Sequence, residues 1–107
     1  MTTADFFEHG EVRKIEISGH SGYAPAGSDI VCAGISALSQ AYMFYMQDLV
    51  DKGKAKIDSL TIMDGYFQMF SENLSAESKA AYEVAKQGIE AISETYPENL
   101  KIFSKKI

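Results

Sequence analysis

Three observations predict an α+β fold, a small and mostly antiparallel sheet carrying two helices in the order β-β-α-β-β-α-β. Short stretches such as Val12–Ser18 alternate apolar and polar residues, the period of a half-buried strand. Tight-turn signals at His9-Gly10 and Asp64-Gly65 join neighbouring stretches of this kind. Two longer segments, opening at Asp29 and at Ser75, instead repeat apolar residues every three or four positions. Hairpins make most of the sheet antiparallel, and each helix needs a face to cover, which gives a two-layer or sandwich-like domain.

The elements follow in order. Thr3–Phe7 is the first strand, His9-Gly10 its turn, and Val12–Ser18 the returning strand, with Ile15 and Ile17 on one face and Glu16 on the other. Gly19 to Ser28 holds Gly19, Gly22, Gly27 and Pro25 and is read as a loop. Asp29 caps or opens the first helix. One apolar stripe runs through Val31, Ile35, Leu38, Tyr42, Tyr45 and Leu49, and Ala33, Ala37, Ala41 and Phe44 make a second beside it. A helix apolar on most sides belongs in the interior or under a partner subunit. Asp51 to Gly53 ends it, with Gly53 at the C-terminal cap.

Ile57–Met63 is the third strand. Asp64-Gly65 is a two-residue hairpin turn of the type that places both residues at positive φ. Tyr66–Phe70 returns, with Tyr66 and Phe70 set against Gln68. Ser75 caps a second helix and Glu77 suits its first turn. Ala81, Ala85, Ile89, Ile92 and Tyr96 trace its buried face, and Tyr96-Pro97 stops it. Leu100–Phe103 is a last short strand, leaving Lys105-Lys106 at a solvated terminus.

Composition narrows the function classes. A chain of 107 residues suits one domain spanning 1–107. A net charge of −5 argues against nucleic acid as a direct partner, because phosphate binding needs clustered Lys and Arg, and it suits a basic partner instead. A single cysteine excludes an intrachain disulfide and a Cys-x-x-Cys redox site, and favours a reducing, cytoplasmic setting. The first ten residues show no basic-then-apolar signal pattern. The uncharged run Ile30 to Met46 contains Gly34, Ser36, Ser39 and Gln40 and falls short of the ~20 apolar residues of a span, so no membrane association is expected. His9, His20 and Cys32 are the only soft ligands, too few and too scattered for zinc, and no metal or other cofactor is expected. The glycine-rich loop lacks the Gly-Lys-Ser/Thr ending of a phosphate loop.

Chemistry concentrates between Gly19 and Ser36. A histidine follows directly on a strand, a glycine-rich loop follows the histidine, and Cys32 lies in the first turn of a long helix. The thiolate is the nucleophilic form of cysteine, and a free thiol has a pKa of ~8.5. A first helical turn offers unpaired N–H groups and the positive end of the macrodipole, which favour a thiolate and an oxyanion alike. A nearby imidazole can take the thiol proton and return it to a leaving amine. Residue types alone leave a bland alternative open, in which Cys32 is a small buried hydrophobe and His20 a solvated strand end.

The stretch Ser18-Gly19-His20-Ser21-Gly22-Tyr23-Ala24, with Asp29-Ile30-Val31-Cys32-Ala33-Gly34-Ile35-Ser36-Ala37-Leu38, resembles the signature of the ribosomal-processing cysteine protease family. That signature is a Gly-His-Ala-Gly-Tyr-Ala run followed by Asp-Ile-Val-Cys-Ala-Ala and a Ser-Ala-Leu tail. The likeness extends more loosely over the whole chain, including Asp64-Gly65-Tyr66 and Tyr96-Pro97. It implies a cysteine endopeptidase that removes a short N-terminal extension from a large-subunit ribosomal protein. It places the catalytic pair on His20 and Cys32. It implies cleavage after an aromatic-rich sequence, hence a site for bulky apolar side chains, and a homodimer, which would agree with the over-apolar first helix. Two departures stand out: Ser21 replaces alanine, and Gly34 replaces an alanine inside the helix at a cost of roughly 1 kcal/mol.

The expected roles are then specific. Cys32 attacks the scissile carbonyl, and His20 is base and then acid. Asp29 caps the helix or orients His20, with capping the commoner use of Asp at a helix start. Ser36 lies one turn after Cys32 and either bonds the sulfur or substrate or eases packing. Backbone N–H groups near Cys32 and Gly22 are candidate oxyanion donors, and Tyr23 is a pocket wall or an ordinary loop aromatic. The non-enzymatic alternative is a ribosome-assembly or peptide-binding module. A remoter one is a thiol-dependent hydrolase of small molecules.

Overall fold

The computed structural model describes all 107 residues, Met1–Ile107. Its elements are β1 (Thr2–His9), β2 (Val12–Ser18), α1 (Ile30–Asp51), β3 (Lys56–Met63), β4 (Tyr66–Glu72), α2 (Ala76–Thr95) and β5 (Leu100–Lys106). The order is the expected β-β-α-β-β-α-β. The strands form one five-stranded sheet in the order β3-β4-β2-β1-β5. All neighbours are antiparallel except β1 and β5, which run parallel.

Period two decides which face of the sheet is covered. Ala4, Phe6, Ile15, Ile17, Phe67 and Met69 are buried. The register sets Ala4 opposite Ile17, Phe6 opposite Ile15, and Ile15 and Ile17 opposite Met69 and Phe67, so all six share one face. Both helices contribute to the same core, through Val31, Ile35, Met46 and Leu49 of α1 and Tyr82, Ala85 and Ile89 of α2. The expectation for β4 is reversed here. Tyr66, Gln68 and Phe70 are two residues apart and share the other face, where the Tyr66 hydroxyl donates to Glu16 at 2.6 Å.

Strand ends run further than composition suggested. β1 begins at Thr2 and β5 continues through Lys105 and Lys106, because the parallel ladder pairs Phe7 with Lys105 and Glu8 with Lys106. Lysines at the end of an edge strand are polar on the solvent side and still paired on the other. The first turn falls on Gly10-Glu11, one residue later than expected, between the paired His9 and Val12.

The helix ends match their chemistry. The Asp29 carboxylate accepts from the N–H groups of Val31 and Cys32, both at 3.0 Å. At the other end, Gly53 N–H donates to Val50 O and Lys54 N–H to Leu49 O, the double bond pattern of a Schellman cap around Gly53. Ser75 and Ser78 form a reciprocal capping box at α2, with serine in the usual glutamate place. Tyr96 is the C-cap of α2, ahead of Pro97.

The buried face of α1 is turned from the expected stripe. Ser39, Met43 and Met46 are buried, whereas Tyr45 and the stripe Ala33, Ala37, Ala41 and Phe44 are exposed. Ser39 tolerates burial because its hydroxyl donates to Ile35 O at 2.7 Å, a self-contained bond that apolar periodicity does not register. Tyr82 of α2, fully buried, was likewise absent from the expected face. Gly34 has a packing reason: a Cβ there would lie 3.2 Å from Cδ1 of Ile92 on α2.

Candidate active site

The end of β2, the start of α1 and the β3–β4 hairpin meet at one end of the sheet. Between them lies an open cavity of about 230 Å³ lined by His20, Cys32, Ser36 and hairpin residues Ile62 to Phe67. His20 and Cys32 therefore share one cavity, although the loop and the first residues of α1 separate them in the chain. His20 is exposed and Cys32 half-buried.

Backbone and side-chain contacts hold the loop against the helix start. The N–H of Ser21 donates toward Cys32 Sγ at 3.4 Å. The Ser21 hydroxyl donates to the Asp29 carboxylate and accepts from the Tyr23 N–H at 3.3 Å. Asn99, in the α2–β5 connection, donates its side-chain amide to Ser21 O at 3.0 Å. Ser21 is thereby almost fully buried, inside a loop that is otherwise mostly exposed. The Ser21 hydroxyl, followed by the Cys32 N–H, pushes the Asp29 carboxyl down from its ordinary 3.8 to about 2.

Asp29 faces the helix and Ser21 rather than the imidazole. The carboxylate near His20 is Asp64, whose Oδ2 lies 3.7 Å from Nε2. The hairpin also passes close to the ring at Gly65. A Cβ at Gly65 would lie 2.8 Å from His20 Nε2, and Gly65 has a φ of 68°. Gly65 is the only one of the two turn residues at positive φ, so this turn is not the doubly positive type expected from Asp64-Gly65. Gly65 O accepts from the Gly19 N–H at 2.8 Å, fastening the hairpin tip to the residue before His20.

The other expected residues divide. Ser36 lines the cavity one turn beyond Cys32, and its hydroxyl accepts from the Gln40 side chain at 2.6 Å. Gly22, Tyr23 and Asp29 do not line it. Tyr23 packs edge-to-face on Tyr96, with ring centroids 5.2 Å apart. The helix-end N–H groups of Val31 and Cys32 are engaged by the Asp29 side chain, and that of Ala33 by Asp29 O at 3.0 Å. The Gly22 N–H has no partner in the chain. Residue type and spacing give Asp64, Gly65, Ile62 and Asn99 no site role of their own. The turn signal at Asp64-Gly65 was visible, but its position against His20 arises from the pairing of β2 with β4.

A free thiol in the first turn of a helix faces the same cavity as an exposed imidazole just beyond a strand end, an arrangement suited to cysteine-peptidase chemistry on a small α+β fold. The family of cysteine protease Prp matches across residues 1–101, and the chain belongs to that family. Solved structures agree. An essential ribosomal processing protease Prp from S. aureus, in complex with a covalently linked product peptide, is 25% identical with a TM-score of 0.82, covering 98% of this chain and 100% of that one. The same protease with a substrate peptide gives 24% and 0.76, at 98% and 100% coverage. SMU.848 from Streptococcus mutans gives 23% and 0.71, covering 100% of this chain and 96% of that one. No curated protein sequence matches significantly. The chain is a cysteine protease, and no helix in it is long and apolar enough to cross a membrane.

Proposed function

We propose that this protease is an endopeptidase working through Cys32 and His20, and that its substrate is the N-terminal extension of a large-subunit ribosomal protein. The observation that carries the reading is that Cys32 and His20 open onto one cavity in a member of this protease family. The ribosomal target rests on the S. aureus relatives, which are ribosomal processing proteases with peptides bound. An acidic chain also suits a basic ribosomal protein as partner.

The chemistry proceeds in two halves. His20 takes the thiol proton, and Cys32 Sγ attacks the scissile carbonyl carbon. The carbonyl electrons move to oxygen, and the Gly22 N–H, which has no partner in the chain, is the loop donor assigned to meet that charge once peptide binds. The tetrahedral intermediate collapses, the C–N bond breaks, and His20 returns its proton to the leaving amine. Water, deprotonated by His20, then attacks the thioester, and Cys32 leaves as thiolate and recovers the proton. Ser36, on the cavity wall with its hydroxyl tied to Gln40, is in place to contact substrate. Asp29 contributes by holding the helix start and, through Ser21, the loop.

The chain is proposed to act as one domain, 1–107, in the cytoplasm and as a homodimer. The exposed stripe of Ala33, Ala37, Ala41 and Phe44 on α1 supports a partner subunit. Membership of a protease family weighs against the non-enzymatic module. The deciding experiment is cleavage of a peptide spanning the ribosomal-protein extension by wild type and Cys32→Ala in parallel. Cleavage by the wild type alone is expected. Equal cleavage by both would remove Cys32 as nucleophile, and none by either folded protein would remove the proposed substrate.

A further inference from the structure

The sheet has two open edges, and they are built differently along their length. β5 is the edge away from the cavity and carries Lys101, Lys105 and Lys106. β3 is the other edge. Its first half holds Lys56 and Asp58 and a register shift between Ile57 and Ser59. Lysines and bulges on an edge are the devices that stop a foreign strand from pairing. The second half, Leu60-Thr61-Ile62-Met63, has no charge, no proline and no irregularity. This bare half is the part that reaches the active-site cavity, which Ile62 and Met63 line together with Cys32 and His20. Ile62 and Met63 are 52% and 63% exposed.

The backbone of that half is also turned outward in a defined way. Met63 and Tyr66 flank a two-residue turn, so they form the pair that exchanges both hydrogen bonds, and the pattern alternates along the ladder. Thr61 then bonds β4 as Met63 does, while Ile62 and Leu60 direct N–H and C=O to the empty side. The Ile62 side chain shares the face of its partner Phe67, toward α1, whose Ser36 and Gln40 form the opposite wall of the cavity.

We propose that the free edge of β3 from Leu60 to Met63 binds the substrate as a sixth strand, an extended peptide segment whose backbone pairs with Leu60 and Ile62 and whose α1-facing side chains enter the cavity beside Cys32. The proposal rests on the peptidase reading and adds how the peptide is held. Main-chain pairing supplies affinity without regard to sequence, and alternate side chains supply selectivity. It also requires the bound segment to be extended and free of proline at its pairing positions, which suits a flexible terminal extension better than a folded loop. A second copy of this chain is the weaker occupant, because four residues of edge bury too little for a stable dimer.

The test is hydrogen exchange on the Cys32→Ala protein, with the substrate peptide of the S. aureus relative as probe, beside cleavage of the same peptide by the wild type. The Leu60 and Ile62 amides should slow when the peptide binds. N-methylation at alternate peptide positions should weaken binding about tenfold or more, and methylation at the positions between should not. Ile62→Pro removes an outward donor without touching the ladder and should cut kcat/KM by at least about tenfold, whereas Ile62→Ala keeps the backbone donor and should lose less. Should Ile62→Pro fail to fold, the exchange data on Cys32→Ala still decide. Binding and cleavage with no slowing at Leu60 and Ile62 would overturn the edge proposal and leave the peptidase intact. Slowing that appears without peptide and grows with protein concentration would assign the edge to a second copy and overturn it equally. Absence of both binding and cleavage would defeat the peptidase reading for this substrate, and the edge proposal with it.

Discussion

The backbone N–H of Ser21 points at Sγ of Cys32 from 3.4 Å, and the same residue's hydroxyl is bonded to the carboxylate that caps the cysteine's helix. One small residue thus couples the loop after His20 to the helix start. The related signature has alanine at this place, so the coupling through the hydroxyl belongs to this chain. The Asp29 carboxyl, held at about 2 chiefly by that hydroxyl, prefers its charged form when the protein is folded. A carboxyl with a depressed folded pKa adds stability that is fully present above its unfolded value and disappears as the pH falls through the folded one. For Asp29 that window runs from its ordinary 3.8 down to about 2. Ser21→Ala should therefore melt below the wild type from pH 5 to 7, with the gap closing toward pH 2. Thermal melts across that range check it, and a gap independent of pH would mean the hydroxyl does not favour the charged carboxylate.

How much of this was legible in the sequence depends on the range of the contacts. Asp29, Ser75 and Gly53 act on their own helix ends, so residue type and position sufficed to place them. The pairing of cysteine and histidine came from a family signature rather than from spacing, because the loop's path is set by distant partners such as Asn99, 78 residues from Ser21. The hairpin's part in the cavity was hidden for the same reason. Asp64-Gly65 announces a turn, while its place over His20 follows from β4 pairing with β2 across an intervening helix. Apolar periodicity does not reveal the α1 face where a polar residue is buried, because Ser39 finds its own acceptor in Ile35 O.

Gly65 should be more important for activity than for stability. Its φ of 68° costs a residue with a Cβ about 1–2 kcal/mol. The larger effect is local, because the added carbon would fall 2.8 Å from His20 Nε2 and displace the ring. With His20 as the base, Gly65→Ala should lower kcat/KM about a hundredfold, as expected for a misplaced catalytic group. Cleavage rates and melting curves on the same sample separate the two effects. Near-normal kcat/KM in a folded variant would show that the base does not depend on this support.

Asn73 is the most connected polar side chain in the core. It is fully buried, accepts from the Ser71 hydroxyl at 2.6 Å, and donates to the Tyr42 hydroxyl at 3.0 Å and to Ser78 O at 2.8 Å. It therefore ties β4, α1 and the first turn of α2 together. Burial pushes the Tyr42 phenol up, so its hydroxyl stays neutral and depends on such a partner. Asn73→Ala would leave several buried polar groups unpaired and should cost about 3 kcal/mol. Urea denaturation measures this directly. A loss under about 1 kcal/mol would mean that water or a rearranged neighbour replaces the amide.

Asp64 carries the carboxylate that pairs with His20, yet its geometry argues for a small effect. The Asp64 Oδ2 to His20 Nε2 separation is 3.7 Å, longer than a hydrogen bond, and both side chains are exposed. Exposed pairs of this kind contribute at most about 1 kcal/mol, and salt screens them. Ser21 and Asp29 already fix the loop after His20 by a direct hydrogen bond, and Gly65 leaves the ring no room for a Cβ on that side. Asp64→Asn should therefore change kcat/KM by less than about fivefold, and the difference should fade as ionic strength rises. Peptide cleavage by both proteins at low and high salt is the measurement. A loss of a hundredfold or more that persists at high salt would instead mean that the hairpin closes on His20 when substrate binds, and that Asp64 then orients the base.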